Sequence, residues 1–195
     1  MIVVYDFDKT LTYKDTLFGF FLEFSKNPFK IFFYFCLMVC AKLKLISNDI
    51  LKRWGVKLFL KGVSKDTIEK KAHIYAKKIK TNSLYKEIDL KDRVFIVSAS
   101  FQEYLKPLFS KDVSIIASRL DYADGKVVGL LFNCYGKNKI DALQKEGIFK
   151  IDLFFTDSYS DKPLALLTKK IVIVKDDTKT MCNTLKEFEN YFKKV

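Results

Sequence analysis

Two pairs of aspartates carry the strongest chemical signal in this 195-residue chain. Asp6-Phe7-Asp8-Lys9-Thr10 follows Met1 to Tyr5, a β-branched run of the kind that forms a buried parallel strand and ends in a polar loop. Ligands of parallel sheets sit beyond the carboxyl ends of the strands, so carboxylates at i and i+2 of an extended loop both face that crevice. One of them, Asp6 or Asp8, attacks while the other handles a proton. The second pair, Asp157 and Asp161, lies in Thr156-Asp157-Ser158-Tyr159-Ser160-Asp161, directly after Ile151 to Phe155. Carboxylate oxygens at strand ends suit Mg²⁺, which binds through few carboxylates plus substrate phosphate and keeps several waters. Between the pairs, Ser98 ends the apolar run Val94 to Val97. Its hydroxyl and the amides that follow, beginning with Ala99, are placed at the start of a helix to donate to phosphate oxygens. A cation is still needed beside an aspartate nucleophile. Lys137 and Lys139, in Gly136-Lys137-Asn138-Lys139-Ile140, are the candidates.

The elements that must position these residues follow from the apolar pattern. Strand-like runs recur at Val94 to Val97, Ile115 to Ala117, Ile151 to Phe155 and Ile171 to Val174. Helical stretches are expected at Phe101 to Phe109, Lys139 to Glu146, Leu164 to Lys169 and Lys179 to Lys193, and the alternation predicts an α/β fold with a Rossmann-like parallel sheet. Asp124-Gly125, between two strand-forming stretches of Ser118 to Asn133, marks an antiparallel hairpin. Tyr13 to Leu90 reads as helical throughout, with Asn48 or Asp49 capping a helix to Gly62 and Ser64 capping another to about Lys80. The expected organisation is a catalytic core of residues 1–12 and 91–195 with a helical domain, 13–90, inserted after the first strand.

Charge is concentrated in that insert. The chain carries 35 Lys and Arg against 23 Asp and Glu, a net of +12, and residues 13–90 hold 16 against 7, a net of +9. With 49% hydrophobic and 15% aromatic residues the chain is no disordered tail. The insert includes Phe18, Phe20, Phe21, Phe24, Phe29, Phe32, Phe33, Tyr34 and Phe35. Its charge-free run Ile31 to Ala41 spans 11 residues between Lys30 and Lys42, short of the roughly 20 needed to cross a bilayer. It either packs against the other insert helices, the expected arrangement, or lies on a membrane surface with its lysines on anionic headgroups. Cys36, Cys40, Cys134 and Cys182 form no CxxC pair or zinc spacing, and Met1 to Val4 lead straight into charged residues without a signal peptide. A cytoplasmic protein is expected, with peripheral contact on the inner face of the membrane as an extension. His73, the one histidine, sits in a Lys-rich helix and is expected to be solvated.

An Asp-x-Asp pair alone is common in solvated loops. In the order DFDKTLT, VSAS, CYGKNKIDAL and DSYSD, however, the chain resembles the four motifs of the haloacid dehalogenase superfamily of phosphohydrolases over nearly its whole length. The insert resembles a C1 cap of the phosphoserine phosphatase-like branch, and with DSYSD it looks most like the phosphatidylglycerophosphatase C group. The resemblance implies Asp6 as a nucleophile forming an aspartyl-phosphate and Asp8 as general acid and then base. It implies Mg²⁺ held by Asp6, the backbone carbonyl of Asp8 and Asp157, with Asp161 supporting through water or a further bond. Ser98 would bind the phosphoryl group, and Thr10 would brace the loop. Lys139 fits the family pattern better than Lys137. Asp15 matches the place of an acidic substrate-binding residue, although it also suits a helix cap; Arg53 is the one arginine of the insert available to a substrate carboxylate. Lys9 stands where many members carry Gly. An acid at position 8 argues against dehalogenation. The substrate expected is a lipid-linked phosphate or a soluble metabolite such as a sugar phosphate or phosphoserine. Nucleic acid is not expected, because the four acids repel a phosphate backbone.

Overall fold

The computed structural model describes residues 1–193. Its seven-stranded sheet has the order β4-β3-β2-β1-β5-β6-β7, with β1 Ile2–Tyr5, β2 Arg93–Phe101, β3 Ser114–Ala123, β4 Lys126–Phe132, β5 Ile151–Thr156, β6 Thr168–Lys175 and β7 Thr178–Cys182. The five strands from β3 to β6 in this order are parallel, and β4 and β7 close the edges antiparallel. β1 has β2 on one side and β5 on the other, so the chain reverses its winding beside β1. That makes the carboxyl end of β1 the place where an open parallel sheet leaves a crevice.

The hairpin turns at Asp124-Gly125, both at positive φ. The last helix differs from expectation. Instead of a helix from Lys179, β6 reverses at Asp176, which has a φ of 54°, into β7, and only then does the helix Leu185–Lys193 begin. Thr178 to Cys182 alternates, burying Cys182 and exposing Met181, and a period of two wins over helix propensity at a sheet edge. The segment from Leu164 likewise splits: helix Lys162–Ala165 stops and Thr168 is already strand. Phe101 to Phe109 becomes a short helix, Gln102–Leu105, and one 3-10 turn.

Between β1 and β2 run α1 Leu17–Leu22, α2 Pro28–Lys42, α3 Asn48–Gly55, a π turn at Val56–Leu60, α4 Lys65–Ala76 and α5 Ser83–Lys86. The N-cap of α3 is Ser47, whose Oγ accepts from the Ile50 amide, one residue before the expected cap. Ser64 caps α4 as expected. The insert shares one apolar core with the sheet: Phe20 and Phe21 pack on Phe101, and Phe20 also on Tyr104. Its far end is tied to the sheet by backbone bonds to the hairpin, Gly62 N–H to Val127 O at 2.8 Å and Lys65 N–H to Gly125 O at 2.8 Å. The helix α2 meets the expectation of inward packing on one side only, through Tyr34, Ile31, Leu37 and Met38. Of its side chains only Tyr34 is buried, while Phe29 is 83% exposed, Phe32 69% and Phe35 57%. Among the described residues no helix is long and apolar enough to cross a membrane.

Gly55 ends α3 where there is no room for a side chain, because a Cβ there would lie 2.4 Å from the Phe21 ring and 3.1 Å from Tyr34. Gly55→Ala should therefore lower stability by about 1–3 kcal/mol in urea unfolding, overpacking outweighing the helix-propensity gain.

Candidate active site

β1 delivers Asp6 to its carboxyl end, where the Asp6 amide donates to Phe155 O of β5 at 2.9 Å. The chain then turns tightly, Leu11 N–H returning to Phe7 O at 2.8 Å. Lys9 takes a φ of 58° in this turn, the left-handed region that glycine enters without strain, which accounts for the glycine preference at this place in the motif. Asn82, from the end of the insert, holds the same turn: its side-chain amide donates to Thr10 O at 2.8 Å and its backbone amide to Leu11 O at 3.0 Å.

The turn brings Asp6, Asp8 and Lys9 together with Ser98, Ala99, Lys139, Asp157 and Asp161 around one crevice of about 260 Å³. At its centre Lys139 Nζ lies 2.7 Å from Asp6 Oδ1 and 2.6 Å from Asp161 Oδ1, all three groups nearly without solvent. Lys139 occupies the first turn of α7, Lys137–Lys145, which points it inward, and Lys137 two residues earlier is exposed. The flanking carboxylates hold the Lys139 ammonium charged, against the opposing effect of burial. Asp6 is pushed up in pKa by burial, with Asp161 and Asp157 adding to the rise and Lys139 opposing it. The second oxygen of Asp161 accepts from Thr156 Oγ at 2.8 Å, so both of its oxygens are engaged within the protein.

Asp8 is held from the insert and from β2. Its Oδ1 accepts from the Thr16 amide at 2.8 Å and the Thr16 hydroxyl at 2.6 Å, and its Oδ2 accepts from Ser100 Oγ. Thr16 in turn meets the Tyr104 hydroxyl at 2.9 Å. Burial nevertheless raises the Asp8 pKa to about 6, the neighbouring Asp15 adding to the rise and these donors opposing it. Asp157, which accepts from Thr10 Oγ at 3.4 Å, is also raised to about 6, by burial and then by Asp161.

Two expected features change. Ser98 is buried at the crevice, but β2 continues to Phe101, so the amides beside it belong to an irregular strand end and not to a helix start. The Ser100 amide is already used by Ser98 Oγ at 3.0 Å. Arg53 is not in the crevice at all; it pairs with Asp49 at 2.7 Å, one turn back on α3. The neighbouring Lys52, absent from the expectations, takes that place. It is buried and donates to Ala99 O at 2.6 Å, Asn133 Oδ1 at 2.6 Å and Ser118 Oγ at 3.1 Å, and burial lowers its pKa to about 8. Thr16 and Ser100 were missed as well. Asp15 lies on the crevice rim, its carboxylate accepting from the Leu17 amide at 3.0 Å. A larger cavity of about 550 Å³, lined by Lys65, His73, Glu103 and Arg119, lies away from all these acids.

The donor set bears on a metal. Among the described residues no three His, Cys, Asp or Glu side chains converge as a metal cluster. What is present is two carboxylates, Asp6 and Asp157, next to the Asp8 backbone, in a crevice where five aspartates, Asp15 at the rim among them, outnumber the buried ammoniums of Lys139 and Lys52. Mg²⁺ takes such a set, because it needs only one or two carboxylates and completes its shell with water and phosphate. Burial first, and the neighbouring carboxylates second, raise Asp6 and Asp157, and a bound cation would favour their charged forms against both.

A parallel α/β sheet with acids at the ends of two adjacent central strands, β1 and β5, and a lysine locked between Asp6 and Asp161 is the arrangement against which the known families are compared. The model of the haloacid dehalogenase-like hydrolases matches residues 3–166, and the chain belongs to that family. Similar folds include a phosphoserine phosphohydrolase-like protein from Francisella tularensis subsp. tularensis SCHU S4, with a TM-score of 0.64 and 21% identity over 88% of this chain and 86% of that one. A substrate-bound phosphoserine phosphatase has a TM-score of 0.62 and 19% identity over 97% and 96% of the two chains. The phosphoserine phosphatase of T. onnurineus has a TM-score of 0.61 and 20% identity over 100% and 94%. No curated protein matches the chain. None of these three structures is a phosphatidylglycerophosphatase, so the resemblance to that group rests on the sequence.

The two carboxyls with pKa values near 6 have a measurable consequence without metal. Their ordinary value is 3.8, so the folded chain binds more protons than the unfolded one between about pH 4 and 6, and each group withdraws stability as pH rises through that window. In EDTA, the stability of Asp157→Asn relative to the parent should rise by about 1–2 kcal/mol between pH 4.5 and pH 7.5 in denaturant unfolding, and the variant should be the more stable chain at the higher pH. A variant less stable than the parent at the higher pH would contradict this electrostatic picture.

Proposed function

We propose that this hydrolase is a Mg²⁺-dependent phosphatase that cleaves phosphomonoesters through an aspartyl-phosphate on Asp6. The observation that carries the reading is the seat of Lys139 between Asp6 and Asp161. Asp6 Oδ1 is held by that ammonium, which leaves Oδ2 free at the crevice for attack on phosphorus. Asp8 gives its proton to the departing alkoxide and then takes one from the water that cleaves the acyl phosphate. A pKa near 6 lets it exchange a proton in both directions near neutral pH. Ser98 Oγ and the Ala99 amide are the donors for the phosphoryl oxygens. Lys52 and Ser118 fix the Ala99 carbonyl and so the course of the strand end that carries these donors. Asp6, Asp157 and the Asp8 carbonyl would hold the Mg²⁺. When bound, the ion supplies charge neutralisation for the phosphoryl group. Asp161 acts on Lys139, and Thr10 braces the turn through Asp157.

Uncatalysed phosphate-monoester hydrolysis is so slow that the site must supply roughly 20 kcal/mol or more, mostly by positioning and electrostatics. Residues 13–90 act as the cap over this crevice and residues 1–12 and 91–195 as the catalytic core. A crevice of about 260 Å³ takes the phosphoryl group and the first atoms of the alcohol, so the rest of the substrate projects past the cap. With Arg53 paired elsewhere and the aromatic helix α2 exposed, a lipid-linked phosphate is favoured over phosphoserine or a sugar phosphate.

Hydrolysis of p-nitrophenyl phosphate tests the chemistry. Asp6→Asn should lose at least about a thousandfold in kcat, Lys139→Ala at least about a hundredfold, and Lys137→Ala should stay within about twofold. EDTA should abolish activity and Mg²⁺ restore it. Full activity of Asp6→Asn would remove the nucleophile assignment.

A further inference from the structure

Helix α2 combines features that a helix at the surface of a monomer does not combine. Phe29, Phe32, Phe33, Cys36, Val39 and Leu43 recur at spacings of three and four and form one exposed face, which Phe35 widens. The opposite side packs inward through Tyr34, stacked on Phe18 at 5.7 Å and set edge-on to Phe59. The helix is thus apolar on both sides, a pattern that belongs to helices covered all round. Contiguous exposed apolar surface of this kind marks an interaction site.

Charge selects the occupant. No acidic residue occurs between Glu23 and Asp49, whereas Lys26, Lys30, Lys42 and Lys44 bracket the helix at both ends, all four exposed. A second copy of the chain packed face to face would bring these lysines against one another without a carboxylate to answer them. Anionic headgroups answer them directly. Length excludes the deeper alternative: 15 residues make a helix about 22 Å long, below the roughly 30 Å of a bilayer core. Next to the face, Trp54 meets Phe33 edge-on at 5.6 Å and carries Lys57 over its ring at 4.5 Å, an amphipathic pair of the kind that sits at headgroup level. The crevice is close by along the chain. Leu17, beside the Phe18 on which Tyr34 stacks, lines it, as do Asn48 and Lys52 of the next helix.

We propose that α2 is a membrane-surface helix, lying in the plane of an anionic phospholipid bilayer with its phenylalanines among the acyl chains and its lysines on the headgroup phosphates. This deepens the lipid-phosphate reading of the crevice and rests on that reading for its purpose. Binding to the surface is nevertheless measured without turnover, so the two ideas fail separately.

The experiment is co-sedimentation of the full chain with vesicles of phosphatidylglycerol and phosphatidylcholine, against phosphatidylcholine alone. Binding to the anionic vesicles at low salt is expected, weakened at least about tenfold in high salt or on neutral vesicles. Phe32→Glu with Phe35→Glu should weaken it at least about tenfold too, while p-nitrophenyl phosphate hydrolysis stays as in the parent and shows that the double variant folds. Asp6→Asn should bind like the parent. Absence of binding to anionic vesicles at low salt, or undiminished binding by the double variant, overturns the proposal. So does a dimer in sedimentation velocity that the double variant abolishes while vesicles are ignored, since that assigns the face to a second copy. Vesicle binding by a chain that hydrolyses no phosphomonoester would leave the docking surface standing and remove the catalytic reading.

Discussion

Burying an ammonium with two carboxylates costs several kcal/mol per ion in lost hydration, and the pairing stands only where geometry and further hydrogen bonds compensate. Lys139, Asp6 and Asp161 meet that condition because three separate elements converge on them. Asp6 is set by the end of β1 and its bond to Phe155 of β5, Lys139 by the first turn of α7, and Asp161 by Thr156 at the end of β5. A shift in any of these would leave an unpaired charge in the interior. The strand order that puts β5 beside β1 is therefore what allows the site to exist, and the hydrogen bonds of Asn82 and Thr16 extend the same dependence into the insert.

The insert is for this reason more than a cover. Thr16 supplies two of the three hydrogen bonds to Asp8, and Lys52 fixes the backbone beside Ser98. Its Phe20 and Phe21 lie in the same apolar cluster as Tyr5, Ile96 and Phe101 of the sheet. The part of the insert nearest the crevice thus behaves as one body with the core, and α2 joins the same apolar cluster through Tyr34 while its opposite face is exposed.

How much of this was legible in the sequence depends on how local each signal is. Asp6 with Asp8, and Asp157 with Asp161, sit in short loops directly after strands, where residue type and spacing carry the whole message. Lys139 could be preferred over Lys137 by motif but not by geometry, because only the rotation of α7 decides which lysine turns inward. Thr16, Ser100 and Lys52 were out of reach: Ser100 lies 92 residues from Asp8 and Lys52 lies 66 from Ser118, and a lone Lys or Ser has no local mark of burial. Arg53 was attractive because arginine forks onto carboxylates, yet one step of helical rotation gave the crevice to Lys52. The helix read from Lys179 failed because a five-residue edge strand, Thr178 to Cys182, is too short to show its period against the helical stretch that follows until its partner β6 is known. The outward face of α2 was equally undecidable, since an aromatic run serves an interior or a lipid surface with the same residues.

The basic excess of the chain and the acidity of its crevice are then complementary features. Carboxylates crowd where a cation and a phosphoryl group would meet them on the proposed reading, and lysines gather on the insert where an anionic surface would. The central claim, that Asp6 oriented by Lys139 is the nucleophile, is tested most directly by acid-quenching the enzyme during turnover and locating covalent phosphate by peptide mass spectrometry. The account predicts an acid-stable phosphate on the peptide bearing Asp6 that disappears in Asp6→Asn; a phosphate on any other residue, or one that survives that substitution, would contradict it.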